Sequence, residues 1–241
     1  MNSNAESCVA EAAPTRQSVP VLQARGVGLR VSAQFALSGV SFSLQRGQAL
    51  AVRGRNGAGK STLLRALAGL SPLTQGEVLI AGRPCLDWAH SAPLLGYVAQ
   101  HKQLPEHLTL RDHVLQQLDL RRAPRALAAE LLQQADLTAQ ASVPVTRLSG
   151  GNQRKLHILC ALVHRPVLLL ADEPCAGLDT EFAQQVRAYL ARLKHSWGLA
   201  MVLATHDEDD VAALADAVAQ LDSGRWQDPT STRLLNPGSP S

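Results

Sequence analysis

The stretch Gly54-Arg55-Asn56-Gly57-Ala58-Gly59-Lys60-Ser61-Thr62 fits the pattern G-x-x-x-x-G-K-[ST]. In that pattern glycines let backbone amides close on phosphate oxygens, the lysine reaches the terminal phosphates, and a hydroxyl meets Mg2+. Gly54, Asn56, Gly57, Ala58, Gly59, Lys60, Ser61 and Thr62 are therefore the candidate phosphate cradle, with Ser61 also a candidate metal contact. Farther on, the apolar run Val167 to Ala171 ends on two carboxylates, Asp172 and Glu173. Open α/β sheets collect ligand groups at such strand ends. Asp172 would hold Mg2+ through its water shell, and Glu173 would face the attacking water as base or polariser. Paired acids after a strand also serve as plain helix caps. Beside a phosphate loop they point instead to hydrolysis of a nucleoside triphosphate with Mg2+. A second glycine-rich run, Leu148 to Lys155 (LSGGNQRK), then poses a question, because one nucleotide needs only one such cradle.

The elements that must position these groups are legible as periodicities. Val21 to Val31, Gly39 to Leu44 and Gln48 to Arg53 alternate apolar and polar residues between glycines and polar breaks, which predicts half-buried strands. The third runs through the glycine loop into Lys60 to Leu70, whose leucines recur at helical spacing. Strand, loop and helix in that order are the context a phosphate loop requires. Further strands are predicted at Glu77 to Ile80, Leu94 to Ala99, Val167 to Ala171 and Leu199 to Thr205. Helices are predicted at Thr109 to Leu120, Pro124 to Ala135, Gly150 to His164 and Thr180 to Ser196. Near-continuous apolar strands alternating with helices argue for a parallel sheet covered on both faces.

Composition narrows the function. The chain has 241 residues, of which 46% are hydrophobic and only 3% aromatic, so the core must rest on Leu, Val and Ala. A net charge of +3, with Lys and Arg spread along the chain, gives no basic stripe, and no nucleic-acid partner is expected. Cys8, Cys85, Cys160 and Cys175 make no metal-ligand spacing and read as free thiols in a reducing compartment. No apolar run approaches the roughly 20 residues of a spanning helix. Residues 1–20 lack the pattern of a signal peptide and read as a disordered N-terminal tail, and residues 227–241 as a disordered C-terminal tail. His101, His107 and His113, spaced every six residues, read as solvated, and Asp207 to Asp210 as an acidic helix start that complements the dipole.

These motifs, in this order, resemble the ATP-binding subunit of ATP-binding cassette (ABC) transporters, over about Val21 to Trp226. The resemblance implies an α/β fold: a P-loop NTPase core with a mostly parallel sheet, an N-terminal antiparallel β part and an α-helical subdomain. The ATPase domain would span 21–226, with the helical subdomain at about 101–164. Leu148-Ser149-Gly150-Gly151-Asn152-Gln153 matches the family signature. In the family two subunits stack head to tail, and the signature of one caps the nucleotide on the phosphate loop of the other. Ser149, Gly150 and Gly151 open a predicted helix, so their amides and the helix dipole would favour a γ-phosphate. By the same likeness Gln100 touches Mg2+ and the water, His206 contacts the γ-phosphate, and Asp179 communicates across the dimer.

The partners implied are a second nucleotide-binding subunit, in a homodimer, and a transmembrane permease contacted through pieces between Gln100 and Leu148. The location implied is the cytoplasmic face of the inner membrane, as a peripheral subunit. The chain departs from the family where an aromatic ring usually stacks on adenine: the position falls on or near Val31, and Phe35 is the nearest aromatic. A lost stack would cost about 1 kcal/mol of nucleotide binding. Asn152 and the Cys175-Ala176 pair are milder departures. The chain ends about 35 residues after His206, which leaves no room for the regulatory domain of some import ATPases and leans toward export. A soluble assembly ATPase, like those of iron-sulfur cluster assembly, would carry the same motifs. A regulatory subunit that binds ATP without hydrolysing it is disfavoured by the intact Lys60, Asp172, Glu173 and His206.

Overall fold

The computed structural model describes residues 19–30, 36–100 and 104–231. The chain starts with β1 (Leu22–Arg30) and β2 (Ala36–Leu44), then β3 (Ala49–Arg53), and enters α1 (Lys60–Leu67). There follow β4 (Gln75–Ile80), the short β5 (Arg83–Pro84), α2 (Trp88–Ser91) and β6 (Leu95–Val98). Helices α3 (Leu110–Leu120), α4 (Leu127–Gln134) and α5 (Gly150–Leu162) lead into β7 (Leu168–Asp172), α6 (Thr180–Trp197) and β8 (Ala200–Ala204). The described chain closes with α7 (Glu208–Leu214), β9 (Ala217–Asp222) and β10 (Arg225–Ser231). The predicted strands and helices are all present, with ends moved by up to three residues.

Strand β10 is a correction. It carries residues 227–231, the start of the segment expected to be a disordered tail, by pairing antiparallel with β9 from Arg225↔Asp222 to Ser231↔Ala217. The stacked rings of Trp226 and Phe42, with centroids 5.5 Å apart, fasten it to β2. Residues 232–241, residues 1–18, Cys8, His101 and the Val31 to Phe35 stretch considered for adenine stacking lie outside the described residues. His113, expected to be solvated, is buried on α3, whereas His107 is exposed.

The strands lie in the order β5-β4-β1-β2-β10-β9-β3-β8-β7-β6. Strands β9, β3, β8, β7 and β6 run parallel, while β1 pairs antiparallel with β2 and β4. Strands β3, β7 and β8 are buried on both faces, and their side chains divide by alternation. Leu168 and Leu170 of β7 and Val202 of β8 join the core under α1 and the antiparallel strands. Leu169 and Ala171 of β7 and Met201 and Leu203 of β8 join the core under α3 to α6. Helix α3 begins at Thr109, whose hydroxyl accepts from the amide of Asp112 at 3.2 Å, and it packs on α5 to form the helical subdomain. No helix of the described residues is long and apolar enough to cross a membrane.

His164, just past α5, joins that subdomain to the sheet: its Nε2 donates to the Leu95 carbonyl at 3.1 Å. Burial pushes its pKa down from 6.5 to about 4, the Arg121 charge pushes the same way, and the Leu95 bond opposes them. Between those values the unfolded chain binds more protons than the folded one, so stability is complete above about 6.5 and is lost as pH falls toward 4. With part of the shift discounted for solvent, His164 should remove about 2 kcal/mol of unfolding free energy between pH 7 and pH 4. Urea titrations of the wild type and His164→Gln at both pH values check this, and equal acid losses in the two would refute it.

Candidate nucleotide site

Strand β3 feeds the glycine loop and α1 leaves it, so the loop ends at a helix N-terminus, where unpaired amides favour anions. Gly59, the N-cap of α1, has φ 105°, which glycine adopts without strain. Gly54 is glycine for another reason: a Cβ there would stand 2.3 Å from the Leu221 carbonyl oxygen of β9. The loop is pinned from behind, since the Gly224 amide donates to the Ala58 carbonyl at 3.0 Å.

Lys60 is buried, and its ammonium donates to the Gly54 carbonyl at 2.8 Å. It also lies 3.7 Å from Glu173 Oε1. His206 follows β8 and is exposed; its Nδ1–H donates to the same Glu173 oxygen at 2.9 Å. In a neutral ring this leaves Nε2 as the acceptor. Glu173 stands just past β7 at φ 49°, a backbone that an L-residue with a long side chain adopts only when its surroundings impose it. Asp172 is buried beside it. Burial raises the Asp172 pKa, a hydrogen bond from Ser61 opposes that, and the Glu173 charge raises it further.

A cleft of about 430 Å3 is walled by Arg55, Asn56, Gly57, Gly59, Lys60, Ser61, Thr62, Gln100, Asp172 and Glu173. The sequence-predicted residues of the loop, the paired acids and Gln100 thus meet around one space, with Gly54 and Ala58 supporting it. Ser61 hydroxyl, Asp172 carboxylate and Gln100 amide are hard oxygen donors with one carboxylate among them, a set that fits Mg2+ shared with phosphates. Among the described residues no cluster of His, Cys, Asp and Glu offers a self-sufficient metal cage.

His206 is not among the cleft residues but reaches the cleft through Glu173, whereas Ser149, Gly150, Gly151 and Asp179 neither line the cleft nor bond to a residue that does. The Ser149 hydroxyl caps its own helix, accepting from the Asn152 amide at 3.3 Å. Asp179 caps α6, accepting from the Phe182 amide at 2.9 Å. A Cβ on Gly151 would meet the Phe182 ring at 2.3 Å, so that glycine is required within this chain by α6 packing. Ser149, Gly150 and Asp179 are nevertheless exposed.

Two arginines escaped the sequence reading. Arg154 on α5 and Arg187 on α6 are both 7% exposed. The signal was present: on α6, Ala183, Val186, Arg187 and Leu190 share the buried face at helical spacing, so the periodicity itself puts an arginine inside. Arg187 Nε donates to the buried Asp210 at 2.7 Å, and the other guanidinium nitrogens reach Asp207 and Asp209. Asp210 also accepts from the Thr205 hydroxyl at 3.0 Å, and that hydroxyl accepts from the Asp207 amide at 3.1 Å. Both neighbours of His206 are thereby held from α6. The acidic start of α7 does more than complement a dipole, although Asp207 does cap it.

Asp210→Ala would strand a buried guanidinium and should cost about 3–5 kcal/mol of unfolding free energy. Asp209 is 78% exposed at 3.5 Å from Arg187, and Asp209→Ala should cost less than about 0.5 kcal/mol. Urea denaturation of the two variants checks this; equal losses would remove the ranking.

Comparison with known proteins gives the site its context. The sequence profile of the family described as ABC transporter matches residues 37–176. The methionine import ATP-binding protein MetN of Rhizobium etli is 36% identical over 93% of this chain and 65% of its own length. The sulfate/thiosulfate import ATP-binding protein CysA of Thermosynechococcus vestitus is 34% identical over 79% of this chain and 58% of its own. The chain thus spans less than two thirds of the length of these relatives. A metal-chelate type ABC transporter solved in an inward-facing conformation superposes with a TM-score of 0.78 at 28% identity, over 90% of this chain and 85% of that one. An ATP-binding cassette solved as a dimer bound to ADP and Pi superposes at 0.76 with 25% identity, over 87% of this chain and 98% of that one. The family match and these likenesses, around a cleft lined by the phosphate loop, have one meaning in common: the chain belongs to the ABC transporter family.

Proposed function

We infer that this chain is the ATP-hydrolysing, nucleotide-binding subunit of an ABC transporter, working as a head-to-tail homodimer that powers a separate membrane permease. The observation that carries the reading is Glu173: it lines the phosphate-loop cleft, held 3.7 Å from Lys60 and 2.9 Å from His206. In the proposed reaction the loop amides and Lys60 bind the β- and γ-phosphates. Ser61, Asp172 and Gln100 would hold Mg2+, which supplies charge neutralisation as the terminal phosphoryl group leaves. Glu173 orients and polarises the attacking water, and His206 fixes the Glu173 carboxylate while facing the γ-phosphate.

Ser149, Gly150, Gly151 and Asp179 are assigned to the nucleotide of a second copy, because they are outside this chain's cleft and at the surface or just beneath it. Two glycine-rich runs in one chain then serve two different sites. The permease contact is assigned to a groove of about 520 Å3 between α2, the α3–α4 turn and the end of α5. Trp88 and Leu120 on its rim are 45% and 69% exposed, more apolar surface than a solvated rim needs. This widens the expected contact beyond Gln100 to Leu148. The names of the matched relatives favour import over the export leaning of the chain length, and transport over soluble assembly. The proposed place is peripheral, on the cytoplasmic face of the inner membrane.

Glu173→Gln should lower ATP turnover by about 10²–10⁴-fold while ATP still binds, so that dimers accumulate in ATP on size exclusion. Turnover near the wild-type rate would remove Glu173 from its role. Affinity purification of the wild type from membranes in mild detergent should bring down a polytopic membrane protein in stoichiometric amount. Recovery of soluble partners alone would replace transport with an assembly ATPase.

A further inference from the structure

Arg154 has a bonding pattern that α5 packing alone does not require. Its Nε donates to the Pro174 carbonyl at 2.8 Å, one terminal nitrogen to Ala99 at 3.1 Å and Gln100 at 3.4 Å, and the other to Asp172 at 2.8 Å and Glu173 at 2.6 Å. A guanidinium has five N–H donors, and here five carbonyls meet them. Those carbonyls come from two separate strand ends: the one carrying Gln100 and the one carrying Asp172 and Glu173. All five of these bonds go to backbone carbonyls, so the contacts fix backbone.

Arg154 also sits about one and a half turns into the helix that opens at Ser149 and Gly150. A helix moves as a rigid rod over so short a span. Any displacement of the α5 N-terminus is therefore a displacement of the guanidinium, and through it of the residues flanking Glu173 and Gln100. Lysine, with three donors at one point, cannot span both strand ends.

We propose that Arg154 is a positioning residue that couples the two nucleotide sites of the head-to-tail dimer. Its helix begins at the residues offered to the partner's nucleotide, and its side chain holds this chain's own Glu173 and Gln100. The proposal rests on the dimeric ATPase reading above. Occupancy of the partner's site, felt at Ser149 to Gly151, is passed to the hydrolytic carboxylate of the other site along one helix and one side chain.

The test compares the full-length wild type with Arg154→Lys and Arg154→Gln, in rates against ATP concentration. Both folded variants should lose at least about tenfold in kcat with KM within about threefold, and the Hill coefficient should fall from the wild-type value toward 1. Hydrogen exchange on the wild type needs no variant: a non-hydrolysable ATP analogue should protect the amides of 150–155, 172–173 and 99–100 together. Wild-type kcat and cooperativity in a folded variant would overturn the proposal, as would protection confined to 54–62. A kcat loss matched by an equal rise in KM would also overturn it. If the wild type hydrolyses ATP while the variants match it, only this proposal fails. A wild type without ATPase activity overturns the function reading and this inference with it.

Discussion

The site depends on the register of three parallel strands. Ala204, the last residue of β8, pairs with Val52 of β3 on one side and with Asp172 of β7 on the other. Each strand end then supplies its group within two residues: Gly54 after β3, Glu173 after β7, His206 after β8. On the far side Val98 pairs with Ala171, which sets Gln100 level with Glu173. A slip of one residue in any pairing would exchange the two faces of a strand that is buried on both. The division of the leucines of β7 between two cores forbids that slip. The chemistry is thus positioned by hydrophobic packing several residues away from it.

Glu173 tests how firmly that frame holds. A non-glycine residue at positive φ costs about 1–3 kcal/mol, and it persists only where several contacts agree. Here the Glu173 amide donates to the Ala204 carbonyl at 2.8 Å, and its carbonyl accepts from the Ala176 amide at 3.1 Å and from Arg154. The carbonyls before and after it are also taken by Arg154. With this backbone the carboxylate reaches Lys60 and His206. Asp172 one residue earlier keeps an ordinary strand pairing and meets Ser61. Adjacent acids are thereby given different directions and different partners.

What was legible in the sequence was what is local in it. The phosphate loop, the paired acids and the glycines of α5 each fit in a few consecutive residues, and the two-faced apolar strands announced a covered parallel sheet. What was not legible joins distant segments. Arg154 binds carbonyls from Ala99 to Pro174, and Arg187 binds acids at the start of α7, so neither partner set is a motif. Strand β10 escaped for a different reason: Pro229 and its polar neighbours read as a tail, and only the edge offered by β9 and the Phe42 ring turns them into a strand. His113 escaped because its burial comes from the tertiary packing of α3, which its six-residue spacing does not reveal.

The signature run shows why a residue's cause and its use need not coincide. Ser149 caps a helix and Gly151 makes room for Phe182, and both explanations are complete within one chain. Gly150 has no such explanation: a Cβ on it would meet nothing within 4 Å. A side chain there would be tolerated by this chain alone, in a helix where glycine is costly. Nothing inside this chain therefore calls for glycine at Gly150, and the exposed helix N-terminus it occupies is suited to an anion. Ser149 and Gly151 are thus explained from inside the chain, while the space over Gly150 is open to whatever the exposed terminus meets.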